Sequence, residues 1–232
     1  MKPNSFVTQG VVLTRTNFGE ADRILTVITP DHGKVRLMAK GVRKTASKLA
    51  GGIELFSTSQ ITYINGKGDI NTLISTRLVV HYGNIVKDLE RTQFGYELLK
   101  LINRVTEDSA GREYYDLLNS SLKALDNELV SLDQLRLWVY MQLLGASGHS
   151  PNLKTDKEGQ KLSQTSKYTF DLENMNFISA PHGRYKPSHI KLLRLGLSLA
   201  SAKKLSQIKD IGPILPATLE LAKSMLAQHI RI

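Results

Sequence analysis

From Phe6 to Val80 apolar and polar residues alternate in short runs separated by turn residues, a period of two that predicts strands. Phe6–Leu13 (FVTQGVVL) is the first run, with Gly10 suggesting a bulge or bend. Arg23–Thr29 and Lys34–Ala39 flank Pro30-Asp31-His32-Gly33 and form a hairpin. Leu55–Ile64 and Ile70–Val80 form a second, joined by Asn65-Gly66-Lys67-Gly68-Asp69, whose glycines take positive φ without steric cost. Five strands with strong bends predict a small closed barrel. The oligonucleotide-binding (OB) barrel is the five-stranded example that holds single strands, and an SH3-like barrel satisfies the same pattern.

Near residue 81 the period lengthens to roughly 3.6, the helical value. Asn84–Val105 places Ile85, Leu89, Leu98, Leu101, Ile102 and Val105 mostly on one stripe, and Arg112–Leu125 repeats the pattern. Ser131-Leu132-Asp133-Gln134 has the form of a capping box and opens a helix that stops at Gly145. Helical periodicity returns over Ser188–Leu205 and again from Pro216 to about Ile230. Between them, Ala146–Pro187 is polar, and only Tyr168–Ile178 has the alternation of a small hairpin. The fold class expected is α+β: an OB-fold barrel over residues 1–80, then a mostly helical domain over 81–232 with a small polar insertion at 146–187.

Composition adds a partner to this picture. Of 232 residues 41% are hydrophobic and 22% charged, the balance of a globular chain, but the formal net charge is +10. Residues 1–48 hold nine of the Lys and Arg (Lys2, Arg15, Arg23, Lys34, Arg36, Lys40, Arg43, Lys44, Lys48) against Glu20, Asp22 and Asp31. Six of the ten net charges thus lie in about a fifth of the chain, as a localised polyanion-binding face requires. Arg36 alternates with Val35 and Leu37, which aims it off the core, and Arg43, Lys44 and Lys48 lie on a glycine-flanked loop. Phe18 and Phe56 are the nearby aromatics that could stack on bases, or be core.

The chain has no cysteine, which excludes disulfides, thiolate zinc sites and cysteine nucleophiles. The N-terminus lacks an apolar segment of signal-peptide length, and Lys191 and Arg194 interrupt the apolar run Ile190–Ala202, so a soluble intracellular protein is expected. No enzyme chemistry is evident. Glu20 and Asp22 have no third ligand and suit ion pairing with Arg23 or nearby lysines. The six histidines have no metal-binding spacing, and Gly66-Lys67-Gly68-Asp69 lacks the spacing of a phosphate loop. Ser147 between Gly145 and Gly148 fits a helix-end turn better than a nucleophile elbow.

Gly10-Val11-Val12-Leu13, Phe18-Gly19-Glu20-Ala21-Asp22, Thr29 to Lys34, Ala39-Lys40-Gly41-Val42-Arg43-Lys44, Ser47 and Leu55-Phe56 carry a resemblance in order and spacing. Through them the chain resembles the bacterial recombination-repair family RecO. The resemblance implies a barrel followed by helices and no catalytic activity or cofactor. It implies binding of single- and double-stranded DNA, annealing of complementary strands, and help in loading RecA on coated DNA. The implied partners are the acidic C-terminal tail of single-stranded-DNA-binding protein and RecR, with no membrane, in the bacterial cytoplasm at the nucleoid. Many relatives hold a four-cysteine zinc module where Ala146–Pro187 stands. Here Thr155, Asp156, His182 and Gly183 occupy such positions, so metal binding is not carried over.

The expected DNA contacts are Arg15, Arg23, Lys34, Arg36, Lys40, Arg43, Lys44 and Lys48, gripping phosphates without reading sequence. Trp138 fits the bundle core, and with Arg136, Lys191 and Arg194 it could instead border a groove for an acidic tail. An RNA- or ribosome-binding barrel follows the same charge logic, and a metal-dependent phosphodiester enzyme is the remaining alternative.

Overall fold

The computed structural model describes residues 5–66, 68–107 and 110–230, so Lys2 and Lys67 lie outside the described residues. The chain forms two compact units, Met1–Asp126 and Asn127–Ile232.

The first unit is built on strands β1 (Ser5–Phe18), β2 (Asp22–Thr29), β3 (Gly33–Ala39), β4 (Ser57–Ile64) and β5 (Asn71–His81). They close into a barrel in the order β1-β2-β3-β5-β4, the topology of the OB fold. Closure is possible because β1 is long: its first half pairs with β4 and its second half with β2. The irregularity expected at Gly10 falls at Leu13, between the Val12 and Thr14 pairings. Gly10 serves packing instead, since a Cβ there would stand 2.6 Å from Val27 Cγ1. Val12, Leu25, Val27, Val35, Leu37, Ala39, Ile61, Tyr63 and Leu73 fill the barrel, the inward positions of a period-two pattern.

Helices α1 (Leu89–Val105) and α2 (Arg112–Leu125) complete this unit. The Asp88 side chain caps α1 by accepting from Arg91 N–H at 2.9 Å. Asn119 of α2 accepts from Thr58 at 3.0 Å and from Tyr82 at 2.8 Å, pinning the helix to the barrel.

The second unit holds α3 (Leu132–Ala146), a three-stranded sheet of β6 (Asn152–Asp156), β7 (Tyr168–Asp171) and β8 (Asn176–Ser179), then α4 (Pro187–Ser198), α5 (Ala202–Ser206) and α6 (Leu215–His229). The hairpin expected over 168–178 is β7–β8, and β6 joins it in parallel to β8. The helix expected over 188–205 is two helices, α4 and α5. The cause lies on α3, where Gln134, Trp138 and Gln142 form an i, i+4, i+8 stripe. Gln142 donates to the Gly196 and Leu197 carbonyls at 2.8 and 2.9 Å, Trp138 to Leu199 at 2.8 Å and Gln134 to Leu205 at 3.1 Å. The Gly196, Leu197 and Leu199 carbonyls at the end of α4 are satisfied from outside, so that helix can end there. The same engagement undoes the expected capping box. Gln134 is turned toward Leu205, and the Ser131 side chain makes no cap hydrogen bond.

Candidate nucleic-acid interface

On the outer side of the β1–β2–β3 sheet the register sets side chains in rows. Thr14, Thr26 and Arg36 form one row, and Thr16, Ile24 and Met38 the next. Phe18 and Asp22 pair beyond that, with Lys40 just past the end of β3. Arg36 and Lys40 are exposed and Met38 is half-buried. Toward the β2–β3 turn the same face is closed: Ile28, also outward in register, is fully buried, and its β3 partner Lys34 reaches the C-terminal end of α1.

The eight expected contacts divide by this geometry. Arg36 and Lys40 stand on the open face. Arg43, Lys44 and Lys48 are exposed on the connection between β3 and β4. Arg15 and Arg23 fall on the inward parity, opposite Leu25 and Ala39, and emerge at the barrel mouth. Arg15 pairs there with Glu54 at 2.9 Å, and Arg23 Nε donates to Asn17 Oδ1 at 3.0 Å. Lys34 is drawn the other way. Its ammonium donates to the carbonyls of Asn103, at 3.1 Å, and Thr106, both at the C-terminal end of α1.

The cationic connection is held, and the sequence explains how. Gly41 turns at φ +65°, a region that favours glycine. Its N–H donates to Asp22 Oδ1 at 2.7 Å, so Asp22 serves a backbone donor, not the ion pair expected of it. Arg43 N–H donates to the Ala21 carbonyl at 2.9 Å and its guanidinium to Gly19 at 3.2 Å. Val42 is buried between these exposed cations and anchors the turn. The two aromatics expected to stack or be core take one role each. Phe56 is core at 2% exposure, and Phe18 stands 52% exposed at the rim.

In the second unit Lys191 and Arg194 lie on a cleft of about 420 Å³ lined as well by Leu162, Ser163, Gln164, Pro187, Ser188 and Ile190. Arg194 also donates to the Leu153 carbonyl. Trp138 and Arg136 are not among the residues lining that cleft. Trp138 is 3% exposed, and Arg136 pairs with Asp133 at 3.1 Å.

The insertion does not fit a zinc module. It offers no thiolate, His182 is exposed, and buried His189 accepts the Lys186 N–H on Nδ1 at 3.0 Å. Its place is filled by rings. Phe177 packs edge-on to Phe170, Tyr168 and Tyr185 at centroid distances of 4.8, 5.9 and 6.1 Å. Among the described residues no group of three or more His, Asp or Glu is placed to hold a metal ion. No helix among them is long and apolar enough to cross a membrane.

Residues 1–82 match the family model described as "Recombination protein O N terminal". A protein named "DNA repair protein RecO" from Dehalococcoides mccartyi is 35% identical over 169 residues, 72% of this chain and 66% of that protein. A protein of the same name from Roseiflexus sp. is 30% identical over 243 residues, covering 100% of this chain and 82% of its own length. Another, from Alkaliphilus metalliredigens, is 28% identical over 97% of this chain and 92% of that one. The matched stretch spans slightly under two thirds of the Dehalococcoides protein, at 66%.

Proposed function

Because the chain belongs to the RecO family, we propose that it is a DNA-binding, strand-annealing mediator of recombinational repair and not a catalyst. The observation that carries this reading is the open barrel face bearing Arg36 and Lys40, continued by a braced connection bearing Arg43, Lys44 and Lys48. Cations fixed on a rigid scaffold release the counterions condensed on nucleic acid and so bind either single or double strands. Phosphates of two strands held on one protein have a raised effective concentration, while base pairing supplies the sequence readout. The barrel and its connection thus account for annealing without a reacting group.

The partner readings extend this. The C-terminal tail of single-stranded-DNA-binding protein is acidic, and the cleft bordered by Lys191 and Arg194 offers it two cations beside the apolar side chains of Leu162, Pro187 and Ile190. Docking there would bring the barrel to coated single strands, where RecR and RecA act, in the cytoplasm at the nucleoid.

Annealing of complementary oligonucleotides coated with their binding protein, across a salt series, tests the reading. Acceleration that declines steeply with salt is the expected result, and no acceleration at any salt overturns it. Competition between single-stranded DNA and RNA of one sequence decides against an RNA-binding role when DNA displaces RNA.

A further inference from the structure

We propose that the open half of the outer barrel face is a stacking surface for unpaired bases, with Phe18 as its principal contact, so that single-stranded DNA is the preferred ligand class. The inference rests on the DNA-binding reading and adds what the cations cannot supply, a means of telling strands from duplex.

Three observations converge. First, β1–β2–β3 pairing places Ile24 and Met38 side by side in one row of the outer sheet face and Phe18 in the next. None of the three is fully buried, and Phe18 is half exposed. An aromatic ring left in water gives up apolar burial that an interior site would have provided. Second, the full burial of Ile28 toward the β2–β3 turn does not extend to these rows, where Phe18 is exposed and Ile24 and Met38 are half-buried. Third, cations surround the apolar diagonal: Arg36 one row before it, Lys40 beside its end, and Arg43 tied to the Gly19 carbonyl immediately after Phe18. Gly19 itself takes φ +54° to turn the chain there. The backbone that carries the ring is therefore held beside the Arg43 guanidinium.

An occupant of that face needs flat apolar faces alternating with negative charge. Single-stranded nucleic acid has both, since its bases are free to leave one another and stack on a side chain. A duplex keeps its bases stacked inside and offers only phosphates, so Lys40, Arg43 and Lys44 would bind it with no help from Phe18.

The test measures affinity of the full chain for labelled oligothymidine and for a hairpin duplex. Phe18→Ala should weaken oligothymidine binding by roughly ten-fold and leave the duplex unchanged. Phe18→Trp should keep strand affinity, and its fluorescence should be quenched by oligothymidine and not by duplex. Buried Trp138, hydrogen-bonded to Leu199, supplies a steady background. Equal weakening on both ligands, or undiminished oligothymidine binding by Phe18→Ala, overturns the proposal. Arg43→Glu with Lys44→Glu separates the two readings. If it weakens both ligands while Phe18→Ala weakens neither, the DNA-binding reading stands and the stacking surface falls.

Discussion

The Lys34 ammonium, on β3, donates a hydrogen bond to the Asn103 carbonyl 3.1 Å away in the last turn of α1. A second bond to Thr106 places the positive charge among carbonyls that a helix end leaves without partners. One lysine thus fastens the barrel wall to the helix that follows it. Lys34→Met keeps the stem and removes the charge, and should cost about 1–2 kcal/mol of stability by denaturant unfolding. Its DNA salt slope should match the parent's. A slope reduced by about 0.7 per phosphate on single strands would instead mark Lys34 as a contact.

Trp138 has a comparable task in the second unit. Its indole N–H meets the Leu199 carbonyl just past the end of α4, within a buried setting. Trp138→Phe leaves that acceptor without its donor and reduces ring volume, so a destabilisation of about 1–3 kcal/mol is expected. Urea unfolding should show a lowered midpoint with an unchanged slope, and DNA affinity below the transition should not move.

The barrel was legible because period-two alternation and glycine turns report one-sided burial directly. Arg23–Thr29 and Lys34–Ala39 differ from β2 and β3 by one residue at their starts. What the sequence hid were features set by distant partners. Lys34 has the same spacing on β3 as Arg36, yet α1 claims it, and nothing local to β3 announces a helix end 69 residues on. The break between α4 and α5 follows from α3 donors, although the Gln134, Trp138, Gln142 stripe is visible once its i, i+4 spacing is sought. Strand β6 was invisible because its parallel partner β8 lies across a long connection and its own residues are mostly polar. On the candidate face the cations were readable as composition. Which of them share the open face required the register.

His189 gives the second unit a pH dependence of defined sign. Burial, with Lys186 and Arg184 nearby, lowers its pKa below the ordinary 6.5. The unfolded chain therefore takes up this proton first as the pH falls. The stability linked to His189 is complete above 6.5 and declines below it. His229 acts in the same direction, since burial and the His149 ring stacked at 4.5 Å also lower its pKa. Thermal unfolding from about pH 7.5 to about pH 5 should show a falling midpoint. His189→Gln, which cannot take up the proton, should flatten that fall, and an unaltered profile would assign it to other groups.

Lys44 is the sharpest probe of the phosphate grip. Arg43 and Lys44 are neighbours on the exposed connection, but Arg43 also braces the β1–β2 turn through Gly19. Arg43→Glu therefore removes a phosphate-binding cation and loosens the turn that holds it. Lys44 contributes a backbone N–H to Gly41 at 3.1 Å, which any side chain retains. Lys44→Glu should thus weaken DNA binding while leaving the unfolding midpoint in place. Log–log plots of affinity against salt should become shallower by about 0.7 on single strands for the single phosphate no longer neutralised, and by about 1.4 for the double reversal. The weakening should be the same for unrelated base sequences, because a phosphate contact fixes position and carries no readout. A parallel slope and equal affinity for Lys44→Glu would show that this connection does not touch the backbone, and the grip would then rest on Arg36 and Lys40 alone.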